Sequence, residues 1–321
     1  NLLYLANNGV DIIRLDALAF TWKEIGTTSQ NLEKAHLLMQ LFKACTQIVT
    51  PGTLFLAEAI VAPNDIVGYF GHPQGGNNNE CDMAYNATLM TLLWESIATR
   101  NSRLLNTSLD NIPMKPDGTT WLNYIRCHDD IGLGYEDLHA QWAGYNPFDH
   151  RVFLIDFLGG NHDLSFSRGE PFMRKATNDA RISGTLASLS GLDKALEGDN
   201  DEELEMSLRR IEMLHAIILS YGGIPMLYMG DEIGLINDYS YLGNNDRKSD
   251  NRWMHRPDMD WEKVKKVDKK GTIENRIFKS VQNLLDRRKH SPEFADLNNA
   301  WRINAGNDRL FLYLKAKDGY K

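Results

Sequence analysis

Short apolar runs alternate with longer amphipathic stretches along most of this chain, and this order constrains the fold more than any other feature. Each run has the length of a β-strand, and the runs begin near Val10, Thr53, Asp82, Trp121 and Ile224. A repeated order of strand and helix favours a parallel sheet with helices packed outside it. Both a closed barrel and an open sheet are compatible with that order.

Helices are predicted between the strands. One spans about residues 31–49 and ends at Pro51-Gly52, and another begins after Asn200, with Glu203 three residues on as in a capped helix start. Residues 134–198 depart from the alternation because they are rich in Gly, Asp, Asn and aromatic residues, so we expect an excursion from the sheet there. After residue 292, two short apolar runs predict antiparallel strands of a further domain.

Charge and composition exclude several function classes. The chain has 35 basic and 43 acidic residues, a net charge of −8 and no basic run, which disfavours a nucleic-acid partner. No apolar stretch reaches the roughly 18 residues that a bilayer span needs, so no membrane partner is expected. The three cysteines are widely spaced and no Cys or His pair has metal-ligand spacing, so we expect neither a disulfide framework nor a metal site. We favour a cytoplasmic over a secreted location.

Two predicted strands end in carboxylates. Strand alternation places Arg14 and Asp16 on one face, where the cation favours the ionised form of Asp16, as a nucleophile requires. A buried structural ion pair is the alternative. Glu58 closes the next strand in an apolar setting that favours the protonated form, as a general acid requires. A strand-end Glu facing solvent is the alternative there.

A third strand ends in His128, Asp129 and Asp130. Three ionisable residues after an apolar strand rarely serve packing, and His128 and Asp129 suit hydrogen bonds to sugar hydroxyls. Asp130 is equally compatible with a helix cap or a surface turn. The Asp231-Glu232 pair after the last strand is interpreted mainly as structural, since neighbouring strand residues point to opposite faces. One ionised and one protonated carboxyl at the carboxyl ends of parallel strands is the pairing that retaining glycoside chemistry uses.

The segments around these acids resemble the alpha-amylase superfamily of glycoside hydrolases and transglycosidases. Residues 9–17 resemble the motif of that family's fourth barrel strand, residues 56–59 the fifth-strand motif, and residues 126–130 the seventh-strand motif. By this resemblance the catalytic residues are the nucleophile Asp16, the acid/base Glu58 and the sugar-distorting Asp129. Arg14 and His128 would then orient and grip the substrate.

Within the superfamily the amylosucrases are the most similar, on residues 126–132, 166–169, 181–185 and 249–257. This likeness adds Asp130, Arg181 and Arg252 as substrate-binding residues, with Arg181 lining the acceptor path and Arg252 in a salt bridge that closes the glucose pocket. It implies sucrose as donor and an α-1,4-glucan as acceptor, without a cofactor. A sucrose hydrolase or an α-glucosidase is the alternative, and a non-catalytic glycan-binding barrel is a further one.

The resemblance implies an α/β fold, namely the C-terminal part (strands 4 to 8) of a (β/α)8 TIM barrel, with an insertion after strand 7 and the start of an antiparallel β C-terminal domain. The predicted division is a partial barrel over 1–133, the insertion over 134–198, the rest of the barrel over 199–292 and the β domain over 293–321. The N-terminal part of the same barrel is expected to precede Asn1 and to act as its partner. We expect the segment alone to be inactive and poorly soluble, because five strands leave an open sheet edge.

Overall fold

The computed structural model describes residues 1–71, 79–172 and 181–316. The chain forms two compact units. The first unit comprises residues 1–88, 108–122 and 134–136, and the second comprises residues 89–107, 123–133 and 137–321. The four-part domain division stays a prediction, and its residues 72–78, 173–180 and 317–321 lie outside the described part of the chain.

The first unit is built on parallel strands, which confirms the predicted alternation. Its strands, in chain order, are β1 (Ile12–Leu15), β2 (Leu54–Ala57), β3 (Met83–Tyr85) and the start of β4 (Thr120–Tyr124). Each strand pairs in parallel with the next one along the chain. The register sets Leu15 opposite Ala57, so the residues that follow these two strands leave the sheet side by side.

Helices of the first unit cover the strands. They are α1 (Leu2–Asn7), α2 (Glu33–Val49) and α3 (Pro63–Ile66), with 3-10 helices at Leu18–Phe20 and Val67–Phe70. Met39 of α2 packs with Phe55 and Ala57 of β2 in the core of this unit. Because β2 is apolar at consecutive positions, it is buried on both faces, as parallel strands with helical cover are.

The second unit begins with the helices α4 (Ala87–Thr99) and α5 (Arg103–Asn111). Residues 87–88 of α4 and 108–111 of α5 belong to the first unit. Residues 134–198 are more regular than their composition predicts. Their described part contains four short helices, α6 (Asp137–Trp142), α7 (Pro147–Leu158), α8 (Leu186–Leu189) and α9 (Leu192–Glu197). It also contributes β6 (Glu170–Phe172) and β7 (Arg181–Ser183), which form an antiparallel sheet with β5 (Ile131–Gly132). The predicted excursion from the parallel sheet therefore contains regular helices and an antiparallel sheet of its own.

The C-terminal part of the second unit returns to strand and helix. Helix α10 (Asp201–Ser220) is capped by Asn200, whose side chain accepts a hydrogen bond from the Glu203 N–H, so the predicted start is confirmed. Strand β8 (Ile224–Met226) is the neighbour of β4. Helix α12 (Ile273–His290) packs on α10, and the short α11 (Trp261–Val264) precedes it.

The last described residues form the predicted antiparallel pair, β9 (Ala300–Ile303) and β10 (Leu312–Lys315). Across the described residues, none of the helices has both the length and the apolarity to cross a membrane.

Candidate active site

The carboxyl ends of β1 and β2 hold the first group of predicted site residues. Asp16 follows β1 and Glu58 follows β2, one position beyond the register pair Leu15 and Ala57. The Glu58 N–H donates to the Leu15 carbonyl and the Glu58 carbonyl accepts from the Leu18 N–H, each at 3.1 Å. One oxygen of the Glu58 carboxyl accepts a hydrogen bond from the Ala17 N–H at 2.7 Å. The Glu58 backbone and side chain are thus both fixed to the residues on either side of Asp16.

A left-handed backbone conformation at Ala17 makes this contact possible. Its φ of 48° is unusual for a residue with a Cβ atom, and it turns the chain sharply after Asp16. Such strain persists when its surroundings hold it in place, and it is often found at functional sites.

Arg14 forms the ion pair that the sequence suggested. Its Nη1 lies 2.5 Å from an Asp16 carboxylate oxygen, and the Arg14 guanidinium lies 5.5 Å from the Tyr85 ring centre. Partial burial acts to lower the pKa of Arg14, but hydrogen bonds to Asp16 and Tyr85 outweigh it and the pKa is raised. The Asp16 side chain is 75% exposed, so its free oxygen is accessible to a ligand.

A second group gathers around Asp129 in the second unit. One Asp129 oxygen lies 3.2 Å from Nε2 of His128, and the other lies 3.3 Å from both Nη1 of Arg252 and Nη2 of Arg256. Two guanidinium groups thus share one carboxylate. Arg252 was predicted from the sequence and Arg256 was not, although both lie within residues 249–257.

Arg252 is also held by Asp250. Its Nε and Nη2 contact the Asp250 carboxylate at distances between 2.7 and 3.2 Å, and the Arg252 guanidinium lies 5.1 Å from the Phe172 ring centre. The hydrogen bonds from Arg252 lower the pKa of Asp250. The expected closing salt bridge stays a prediction, whereas the pairing with Asp250 and Asp129 is observed.

Asp130 and Arg181 form a pair of their own. The Arg181 Nε lies 3.4 Å from an Asp130 oxygen, and the Asp130 side chain is 2% exposed. Burial raises the pKa of Asp130, and the positive charge of Arg181 opposes that rise. A surface turn does not account for so buried a carboxyl. The substrate-binding role of this pair stays a prediction.

Sequence reasoning missed the residues that support this second group. Arg126, two residues beyond the end of β4, forms a buried ion pair with Asp231 at 2.7 Å, and its Nη1 donates to the His255 carbonyl. Asp231 and Glu232 lie in a 3-10 helix (Asp231–Ile233), so the prediction that they point to opposite faces as strand residues was wrong. Asp231 is buried, which agrees with its interpretation as a structural residue. The sequence signal for Arg126 was a charged residue at the end of a mainly apolar run.

One group of side chains in the described part of the chain has metal-ligand proximity. Ligand atoms of Cys127, His128 and Asp129 all lie within 4.8 Å of one another. The two arginines beside Asp129 oppose a bound cation by charge repulsion. Their positive charges therefore disfavour a metal ion at this group.

Curated proteins with a similar sequence are enzymes that act on glucosides. The chain is 28% identical over 301 residues to the glucosylglycerate phosphorylase of Escherichia coli, covering 93% of this chain and 49% of that protein. It is 28% identical over 241 residues to the trehalose synthase/amylase of Mycolicibacterium smegmatis, covering 74% of this chain and 34% of that protein. The chain therefore spans about half or less of the length of these curated relatives. No protein-family model matches the chain.

Solved structures show the same fold. The sucrose 6F-phosphate phosphorylase of Thermoanaerobacter thermosaccharolyticum superposes with a TM-score of 0.69 at 16% identity, over 98% of this chain and 55% of that one. An alpha-amylase from H. orenii superposes with a TM-score of 0.56 at 12% identity, over 98% and 50%. The chain is therefore similar in sequence to a glucosylglycerate phosphorylase and to a trehalose synthase/amylase, and its fold is that of these solved structures over about half of their length.

Proposed function

We propose that this chain carries the catalytic pair of a retaining glucosyl-transferring enzyme. The observation that supports this most directly is the fixed relation of Asp16 and Glu58 at the ends of two parallel strands in register. Neighbouring strands lie roughly 5 Å apart. Retaining glycosidases hold their two carboxyl groups about 5–5.5 Å apart, whereas inverting ones need a wider gap for water.

In the proposed reaction the Asp16 carboxylate attacks the anomeric carbon of the donor. The glycosidic bond breaks as Glu58 gives its proton to the departing oxygen, and a glucosyl ester of Asp16 results. Glu58, now a carboxylate, takes the proton of the acceptor hydroxyl as that oxygen attacks the same carbon and releases Asp16. The net configuration is retained, and no external energy source is needed because the donor linkage supplies it.

The remaining predicted residues have binding roles in this proposal. Arg14 orients the free oxygen of Asp16 through their ion pair. His128 and Asp129 bind donor hydroxyls, and Arg252 closes the pocket that binds the glucosyl unit. Asp130 and Arg181 contact the acceptor. Carboxylates, imidazole and guanidinium suit this task because sugar hydroxyls both donate and accept hydrogen bonds.

For the donor we propose sucrose, with fructose leaving and an α-1,4-glucan as acceptor, as in the amylosucrases. The sequence likeness over residues 249–257 and 181–185 supports this choice. Hydrolysis of sucrose or of another α-glucoside remains the alternative, with water as acceptor. A glycan-binding protein without activity is a weaker alternative, because both carboxylates of the pair are present.

A second candidate acceptor is inorganic phosphate. It is favoured by one observation, namely that the chain resembles a glucosylglycerate phosphorylase in sequence and a sucrose 6F-phosphate phosphorylase in fold. The first half of the reaction would be unchanged, and phosphate would then attack the glucosyl ester to give a glucosyl phosphate.

Product analysis with the full-length protein separates these functions. Sucrose alone should give fructose and an α-glucan, and added phosphate should not divert the glucosyl unit. Equal amounts of glucose and fructose would indicate hydrolysis, and a phosphate-dependent glucosyl phosphate would indicate phosphorolysis. The Asp16→Asn variant is the control, and the absence of any product from sucrose or from an aryl α-glucoside in the wild-type protein would contradict the enzyme proposal.

A further inference from the structure

We propose that Arg256 is a positioning residue that fixes the orientation of Asp129. This inference rests on the proposed function, because it takes Asp129 as a group that contacts the donor sugar. It adds a residue that the motif comparison did not assign to any role.

Arg256 makes one contact with the Asp129 carboxylate and one with the peptide carbonyl that precedes Asp129. Its Nε donates to the carbonyl of His128 at 2.5 Å, and its Nη2 lies 3.3 Å from an oxygen of the Asp129 carboxylate. One guanidinium therefore contacts both the peptide that enters Asp129 and the end of the Asp129 side chain. Because the guanidinium is planar and rigid, the two contacts together restrict rotation about the Asp129 side-chain bonds.

Arg252 is less suited to this task, although it contacts the same oxygen. Its Nε and Nη2 are both bound to Asp250, and its Nη1 reaches Asp129 at 3.3 Å. Arg252 is thus fixed by Asp250 whether or not Asp129 moves. Among the ion pairs seen in the described residues, Asp129 is the acid partner of Arg256.

The His128 carbonyl has a second donor that steadies it. His255 accepts from the Gly184 N–H through Nδ1 at 3.1 Å, so its Nε2 carries the proton that points to the His128 carbonyl, also at 3.1 Å. Burial, reinforced by the charge of Arg126, lowers the pKa of His255 to about 3, so the ring stays neutral near pH 7. His255 fixes the peptide, and Arg256 connects that fixed peptide to the carboxylate.

The Asp129 side chain is 34% exposed, so contacts rather than packing must restrict it. A carboxylate that binds a sugar hydroxyl in the transition state must be placed accurately. A displacement of about 1 Å costs about 100-fold in rate. Loss of Arg256 should therefore lower kcat more than it raises KM, since the ground-state contacts of the sugar with other residues remain.

The test uses three variants of the full-length protein, Arg256→Ala, Arg256→Lys and the control Arg247→Ala. Arg247 lies nine residues before Arg256 and is exposed, and its guanidinium lies 4.1 Å from the Trp253 ring centre. We expect a fall in kcat of about 100-fold for Arg256→Ala, partial activity for Arg256→Lys, and wild-type behaviour for Arg247→Ala. Added guanidinium salt should restore activity to Arg256→Ala, which it would not do for a merely unfolded variant.

Crystal structures of the wild type and of Arg256→Ala provide a readout that does not depend on activity. We expect the Asp129 carboxylate to change rotamer or to occupy several. A single unchanged Asp129 rotamer would overturn the inference, as would a kcat within twofold of the wild type. Kinetics with an aryl α-glucoside separate a failure of the proposed sucrose donor from a failure of the positioning role of Arg256. If the wild type acts on the aryl α-glucoside but not on sucrose, only the sucrose proposal is wrong, and the Arg256 variants are compared on the aryl α-glucoside.

Discussion

The Glu58 carboxyl accepts a hydrogen bond from the backbone N–H of Ala17, the residue that directly follows Asp16, at 2.7 Å. The two proposed catalytic acids are therefore connected through the backbone turn that follows β1. Any shift of the turn after β1 moves the Glu58 carboxyl with it.

The Glu58→Gln variant tests the proposed acid/base. Glutamine keeps an oxygen that can accept from the Ala17 N–H, so the local structure should persist while the transferable proton is lost. We expect the rate on sucrose to fall by about 10²–10⁴-fold. The loss should be much smaller with α-glucosyl fluoride, because fluoride leaves without a proton. Glu33→Gln, at an exposed position on α2, is the matched control, and equal losses with both donors would argue against the acid role.

Arg14→Met removes the cation that lies 2.5 Å from Asp16. We expect a decrease of about 100-fold in kcat, because the Asp16 side chain loses the contact that orients it. Arg14→Lys should fall between the wild type and Arg14→Met, since an ammonium group restores charge but not the planar geometry. Steady-state kinetics measure this, with Lys34→Met as the control at an exposed ion pair. Wild-type kcat in Arg14→Met would contradict the orienting role.

Arg126 and Asp231 form a buried ion pair in the second unit. Arg126→Met should lower the free energy of unfolding by about 3–5 kcal/mol, because it leaves the Asp231 charge buried without its partner. The double variant Arg126→Met/Asp231→Leu should recover much of that loss, since neither charge then remains. Urea unfolding measures both, and Arg276→Met, at an exposed pair with Glu205, should change little. An additive double variant would show that the two residues are not coupled.

Because of two buried histidines, we expect the free energy of unfolding to decrease in acid. Burial lowers the pKa of His215 to about 4, and burial with the charge of Arg126 lowers that of His255 to about 3. The unfolded chain takes up these protons near pH 6.5 and the folded chain does not. Above pH 6.5 these groups should therefore not change the free energy of unfolding. As the pH falls from 6.5 toward 4, that free energy should decrease, by up to about 2 kcal/mol per histidine between pH 6.5 and 5.

Urea unfolding of the wild type and of His215→Phe at pH 7.5 and pH 5 measures the contribution of His215. The variant should lose less stability than the wild type on acidification. An equal loss in both proteins would show that His215 is not the group responsible.

The sequence by itself determined the parallel strands, the Asn200 helix cap and the positions of Asp16 and Glu58 directly after β1 and β2, whereas Asp129 lies five residues beyond the end of β4 and not at the strand end that was predicted. These follow from local rules, because residue periodicity and capping patterns act over a few residues. The alternation of β1 and β2 and the Asn200 cap are examples that the structure confirms.

Tertiary structure alone decided which cations meet Asp129 and which residues support it. Arg252, Arg256, Arg126 and His255 lie more than a hundred residues from at least one of their partners, and no local pattern encodes such a pairing. The same holds for residues 134–198, whose composition suggested irregularity, whereas the antiparallel pairing of β5, β6 and β7 gives them order. Hydrogen bonds between distant segments, rather than the propensities of single residues, supply that order.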